Sequence, residues 1–206
     1  MPCNAIGEGA ALTSAERERL VRICVEVSAG RAPVVAATGA SGTERTIALT
    51  RAARQAGAEA ALVVVPFYNK PTQHGVLAHV DAVARAADLP ILVHNDPARC
   101  AIDLTAETVA ALASLPGVIG IVDASVDPAR AEATACIAGE RFLQLAGSDA
   151  NAMLLNLAGG RGCVSALANV APRLCADLQA ACAANEWPRA REVQARLAVD
   201  ARAVDG

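Results

Sequence analysis

The stretch LPILVHNDPARCA, residues 89–101, decides the fold class of this chain. Its three β-formers, Ile91 to Val93, make a short apolar run that is typical of a strand buried on both faces of a parallel sheet. The run then breaks into a polar segment that begins at His94 and includes Arg99. Functional residues of α/β proteins often lie in such strand-to-helix loops. An ordinary polar loop with a hydrogen-bonded histidine would give the same sequence pattern. We therefore predict an α/β chain with a candidate site after this strand.

The same alternation of apolar strands and amphipathic helices runs along the whole chain. We predict strands over 33–38, 60–65, 91–93, 118–122, 142–145 and 163–167. Helices are predicted over about 13–29, 44–56, 73–87, 105–115, 171–184 and 189–204, with one beginning at Pro128 and a short one ending at Gly159. About six βα units without a Gly-x-Gly-x-x-Gly fingerprint favour a (β/α) barrel over a nucleotide-binding sheet.

Composition excludes several classes of function. The chain has 206 residues, enough for one domain with a real core, and a net charge of −3 with scattered basic residues. This predicts no nucleic-acid partner and no binding to an anionic membrane. No apolar run approaches a membrane span, and no metal-ligand cluster or phosphate loop predicts a cofactor. The seven cysteines contain no C-x-x-C pair, which favours reduced thiols in a cytoplasmic protein, with a Cys100–His94 pairing left open as an alternative.

Seven motifs carry a family resemblance when they are taken in order. They are NAIGE (4–8), TGASGT (38–43), PFYNKPTQHGV (66–76), HNDPARCA (94–101), GIVDAS (120–125), AGSDA (146–150) and GGRGCVSALANV (159–170). Together they resemble the dihydrodipicolinate synthase / N-acetylneuraminate lyase family of class I pyruvate aldolases, over about residues 4–197. The resemblance implies a (β/α)8 TIM barrel that condenses or cleaves pyruvate and an aldehyde through a Schiff base.

The residues at the reactive positions of that family depart from its pattern. The family's Schiff-base lysine aligns with Val122, which has no nucleophile, and the chain's single lysine is Lys70, in the loop after a different strand. The family's paired threonines align with Ala5 and Ile6, and a catalytic tyrosine aligns with His94, which can still move protons near neutral pH. The resemblance therefore predicts a degenerate active site.

Other positions of the family pattern are retained. Arg99 aligns with a substrate-carboxylate clamp, a task that suits a guanidinium fork. Tyr68 aligns with a tyrosine that a neighbouring subunit contributes in tetramers of the family. Val164 lies on the strand whose backbone faces pyruvate. The anion-binding half of the site is thus predicted to be better preserved than the chemical half.

The resemblance also predicts a partial barrel. A family barrel starts with a strand, a helix and a second strand before the position of NAIGE, and none of these is encoded here. We expect a partial (β/α) barrel over residues 1–185 and a C-terminal helical extension over 186–206. A misassigned start or a fragment, a degenerate paralogue, and a subunit completed by a partner remain alternatives, in that order of preference.

Three functions follow from these residues. The first is a family lyase or aldolase acting on pyruvate or a related 2-oxo acid, without Schiff-base activity because of Val122. The second is a non-catalytic homologue that binds an oxo acid and forms a homo-oligomer, or a hetero-oligomer with an active homologue. The third is a lysine-independent enzyme that uses His94 and Asp123 on a 2-oxo acid.

Overall fold

The chain divides into two compact units in the computed structural model, Met1–Gly120 and Ile121–Gly206. The structure describes residues 1–125, 127–139 and 141–204. None of the helices in these ranges is long and apolar enough to cross a membrane.

The first unit is built on three parallel strands that pair in chain order. They are β1 (Val35–Ala37), β2 (Ala60–Val64) and β3 (Ile91–Asn95), in a register that places Ala36 beside Ala61 and Val63 beside Val93. The helices are α1 (Ser14–Ser28), α2 (Thr43–Gln55), α3 (Gln73–Ala87), α4 (Pro97–Cys100) and α5 (Ala106–Ala113), and a 3-10 turn covers Gly9–Ala11. A buried parallel arrangement explains why these strands read as continuous apolar runs.

Local side-chain chemistry fixes the starts of the helices. Thr13 and Glu16 form a capping box, in which the Glu16 amide donates to Thr13 Oγ1 and the Thr13 amide donates to Glu16 Oε2. Thr72 caps α3 by accepting a hydrogen bond from the Gly75 amide. Both helices begin where the sequence predicts.

Strand β3 is two residues longer than predicted. His94 and Asn95 continue the ladder, and His94 pairs with Val64 of β2. Asn95 is buried, and its side-chain amide donates to Asp103 Oδ1 at 2.9 Å. A polar residue is therefore tolerated inside the strand because the loop that follows supplies a hydrogen-bond partner.

The second unit has fewer strands and more helix. Strand β4 (Val118–Asp123) starts at the end of the first unit, and β5 (Leu143–Ala146) follows. The helices are α6 (Pro128–Ala138), α7 (Ala152–Leu157), α8 (Pro172–Ala183) and α9 (Trp187–Val204), with 3-10 turns at Asp149–Asn151 and Leu167–Asn169. Helices α7, α8 and α9 pack their apolar faces together around Leu155, Leu178 and Leu197.

The structure supports the predicted strand over 163–167 only at its start. Cys163 bridges to Ala146 of β5, and the Val164 amide donates to the Ala146 carbonyl oxygen at 2.7 Å, after which the chain turns. Asp149 Oδ2 accepts hydrogen bonds from the amides of Ala166 (3.0 Å) and Leu167 (3.2 Å), which draws these groups out of any ladder. A carboxylate far away in sequence thus overrides the local β pattern.

Candidate functional site

A cavity of about 230 Å³ lies in the first unit at the carboxyl ends of β1, β2 and β3. Parallel strands present their chemistry at this edge. Most of the lining is apolar, and the polar and charged side chains that line it are Asn4, Arg17, His94, Asp96 and Arg99. The sequence predicted two of these five as site residues, His94 and Arg99.

The N-terminal segment forms one wall of the cavity. The Ala37 amide at the end of β1 donates to the Pro2 carbonyl oxygen at 3.0 Å. Gly9 packs so tightly that a Cβ there would lie 1.9 Å from the Cys3 carbonyl oxygen, which explains the need for glycine. Ala5 lines the cavity, whereas Ile6 is exposed and is not among the described lining residues.

Arg99 stands at the mouth of the cavity and is already ion-paired. Its side chain is 59% exposed, and Nη1 donates to Asp96 Oδ2 at 2.8 Å. The Asp96 side chain is 3% exposed and also caps α4, accepting from the Arg99 amide at 3.3 Å. A carboxylate ligand that approached Arg99 would have to compete with this buried carboxylate.

Arg17 is a lining residue that sequence reasoning missed. It is 9% exposed, and its Nη1 and Nη2 donate to the carbonyl oxygens of Gly9 (2.5 Å) and Ala37 (2.6 Å). Burial lowers the pKa of the Arg17 guanidinium, because water is withdrawn from its charge. The surrounding sequence AERER is typical of a solvent-exposed helix face. The signal that could have indicated burial is that Arg17 lies four residues before Val21, the other buried residue of α1, and therefore on the same face of the helix.

Cys100 lines the cavity as a protonated thiol. Its sulfur donates to the Val65 carbonyl oxygen at 3.4 Å, and burial raises the pKa of the thiol to about 11. A nucleophilic cysteine needs the opposite shift, toward the thiolate at neutral pH. The structure therefore gives no support to a Cys100–His94 nucleophile.

The loop after β2 carries the other retained residues away from the cavity. Tyr68 is 91% exposed, with a left-handed backbone at φ 71°, and Lys70 is exposed with φ 46°. Neither side chain is among the described residues that line the cavity. Lys70 is therefore a solvated cation on a loop.

The second unit contains Val122 and Val164, two residues that the family resemblance singles out. Val122 is fully buried in β4, and Val164 is half-buried. The next residue after Val122, Asp123, forms a buried ion pair with Arg130, whose Nη2 lies 3.2 Å from Asp123 Oδ2. The Ser125 amide also donates to Asp123 Oδ1, at 2.9 Å. The Asp123 carboxylate thus stabilises the end of β4 through these contacts.

Sequence comparisons link nearly the whole chain to one family. The model of the dihydrodipicolinate synthetase family matches residues 2–199. The chain is 46% identical over 197 residues to 4-hydroxy-tetrahydrodipicolinate synthase of Sphingopyxis alaskensis, covering 96% of this chain and 68% of that protein. It is 49% identical over 179 residues to the enzyme of the same name from Rhodospirillum centenum, covering 87% of this chain and 62% of that protein. The chain thus spans about two thirds of the length of these relatives.

Solved structures give the same result. Dihydrodipicolinate synthase from Aquifex aeolicus superposes with a TM-score of 0.91 at 33% identity, covering 95% of this chain and 67% of that one. The chloride-inhibited enzyme from Acinetobacter baumannii, solved in complex with pyruvate, gives 0.92 at 35% identity with the same coverage. These superpositions confirm the predicted fold class, an α/β chain that contains part of a (β/α)8 barrel.

Proposed function

Because the chain belongs to the dihydrodipicolinate synthetase family, we propose that the cavity of its first unit binds pyruvate or a related small 2-oxo acid without forming a Schiff base. The observation that carries this proposal is the cavity itself, which combines an apolar lining with His94 and two arginines. A 2-oxo acid is a small ligand with one carboxylate, and guanidinium groups are suited to carboxylates. The relative from Acinetobacter baumannii was solved with pyruvate, which supports the same class of ligand here.

Two observations on side chains support the absence of a Schiff base. Attack on a ketone needs a neutral amine in a dry pocket. The position of the family lysine is a buried valine, Val122, and the single lysine, Lys70, is exposed on a loop. A lysine in water is protonated at neutral pH and is a poor nucleophile.

Calorimetric titration with pyruvate, followed by borohydride trapping and intact-mass spectrometry, tests both parts of the proposal. We expect saturable binding and no covalent adduct. Peptide mapping separates an adduct on Lys70 from one on the N-terminal amine, and a Lys70→Arg variant is the matched control. An adduct on Lys70 that the control abolishes would show that the amine has moved to this loop, and a lack of any binding would reject the proposal.

His94 supports a second candidate function, enolisation of the bound oxo acid. It lines the cavity from β3, at a position where the family has a proton-transferring tyrosine. In this reaction the imidazole would remove a methyl proton from pyruvate. Asp123, the second group that the sequence suggested, is bound to Arg130 and is left out of this step. Solvent deuterium should enter the pyruvate methyl group with the wild-type protein and not with His94→Gln, while His74→Gln, on an exposed histidine, should exchange normally.

We also propose that the chain self-associates through the loop after β2. The Tyr68 ring is exposed to solvent, and its backbone is in the left-handed region. Such a strained backbone conformation costs free energy in an isolated subunit. Tyr68→Ser should lower the mass measured by sedimentation, and an unchanged mass would reject this surface. Four expectations stay predictions. They are association with an active homologue, direct substrate contacts by Ala5, Ile6 and Val164, a cytoplasmic location, and the boundary between barrel and helical extension at residues 185/186.

A further inference from the structure

The two arginines of the cavity differ in their electrostatic surroundings. Arg99 is mostly exposed and is paired with Asp96, whereas Arg17 is almost fully buried. Among the described residues no acidic side chain forms an ion pair with Arg17, and its recorded hydrogen bonds through the guanidinium go to two backbone carbonyls. The cavity therefore holds one neutralised cation at its mouth and one uncompensated cation in its wall.

A buried charge without a counter-charge is costly. Transfer of an ion out of water costs several kcal/mol unless a partner compensates it, and carbonyl dipoles compensate only part of a full charge. Arginine cannot escape by losing its proton. Such a group in a cavity wall indicates a site for an anion.

We propose that Arg17, and not Arg99, binds the carboxylate of the ligand. This inference rests on the proposed function, and it assigns carboxylate recognition to a residue of α1 outside the motifs that carry the family resemblance.

The geometry leaves Arg17 free to do this. A guanidinium has five N–H groups, and the two recorded bonds, to Gly9 and Ala37, use one on each terminal nitrogen. Those two hydrogen bonds fix the plane of the Arg17 guanidinium between the N-terminal segment and β1. Little side-chain conformational entropy is therefore lost when a ligand binds. At the mouth, Asp96 would repel the same carboxylate.

Paired ligands and paired variants separate a charge contact from a structural one. Pyruvate and its uncharged methyl ester are titrated into the wild type, Arg17→Gln, Arg17→Lys and Arg99→Gln. We expect Arg17→Gln to weaken the binding of pyruvate by about tenfold or more and to leave the binding of the ester unchanged, because hydrogen bonds between charged groups are stronger than those between neutral groups. Arg17→Lys should recover part of the pyruvate affinity, and Arg99→Gln should weaken pyruvate less than Arg17→Gln does.

Each other outcome overturns the inference. An equal loss of both ligands in Arg17→Gln would mean that Arg17 only holds the wall of the cavity. A selective loss of pyruvate that is larger in Arg99→Gln than in Arg17→Gln would return the role to Arg99. If the wild type binds no 2-oxo acid, the proposed function fails and this inference fails with it.

A measurement on the wild-type protein covers the case in which Arg17→Gln does not fold. The Nε–H resonance of Arg17, assigned through its loss in Arg17→Lys, should move when pyruvate is added and stay in place with the ester. A response confined to the resonance of Arg99 would refute the assignment.

Discussion

Replacement of Arg130 by methionine should destabilise the second unit severely. The change removes the cation from a pair whose side chains are only 7% and 9% exposed. The Asp123 carboxylate would keep the Ser125 amide at 2.9 Å but would lose the charge that faces it. Leaving one member of a buried ion pair alone costs about 3–5 kcal/mol. For a chain of this size that corresponds to a melting temperature lower by about 6–20 °C.

Urea denaturation followed by circular dichroism measures the decrease in the free energy of unfolding. Two further variants serve as references for this decrease. Arg22→Met breaks a pair with Glu18 that is 51% and 42% exposed, so the expected loss there is at most about 0.5 kcal/mol. The double change Asp123→Asn with Arg130→Met removes both charges and should be more stable than Arg130→Met alone. A loss below about 1 kcal/mol in Arg130→Met, or a double variant that is no better than the single one, would refute the view that β4 ends in a sequestered ion pair.

Three further perturbations test other parts of the structure. Burial lowers the pKa of His79 in the folded chain, so the unfolded chain takes up a proton first as the pH falls. The free energy of unfolding should therefore decrease as the pH drops below about 6.5. Urea midpoints should show this decrease in the wild type and in His74→Gln but not in His79→Gln. Thr13→Ala should cost about 1 kcal/mol by removing the cap of α1, and an unchanged urea midpoint would contradict the capping box. Val122→Lys should gain a borohydride-trapped pyruvate adduct at that position if the barrel still surrounds it, and a folded variant without an adduct would show that more than the amine has been lost.

The helices and central strands were predictable because local signals and burial agree there. Helix α3 occupies the predicted residues 73–87, since Thr72 caps it and its apolar face is buried through Val76, Val80 and Val83. The predicted strand over 163–167 stops after Val164, because the carboxylate of Asp149 accepts hydrogen bonds from the amides of Ala166 and Leu167. Tertiary hydrogen bonds of this kind leave no trace in a local pattern.

The candidate site was predictable only in part. His94 and Arg99 stood out because polar residues follow a buried apolar run. The pairing of Arg99 with Asp96 could be suspected from their spacing on a short helix, but the burial of Asp96 could not. Arg17 was hidden among five other charged residues of α1, and its environment is set by the carbonyl groups of Gly9 and Ala37, which lie outside that helix.

Tyr68 also makes the chain its own spectroscopic reporter. It is the single tyrosine of the sequence, and its ring is almost fully in solvent. Selective isotope labelling of tyrosine would therefore give a single set of aromatic resonances. If the chain self-associates through this loop as proposed, dilution would narrow those resonances, so assembly could be followed without a tag, a dye or a substitution.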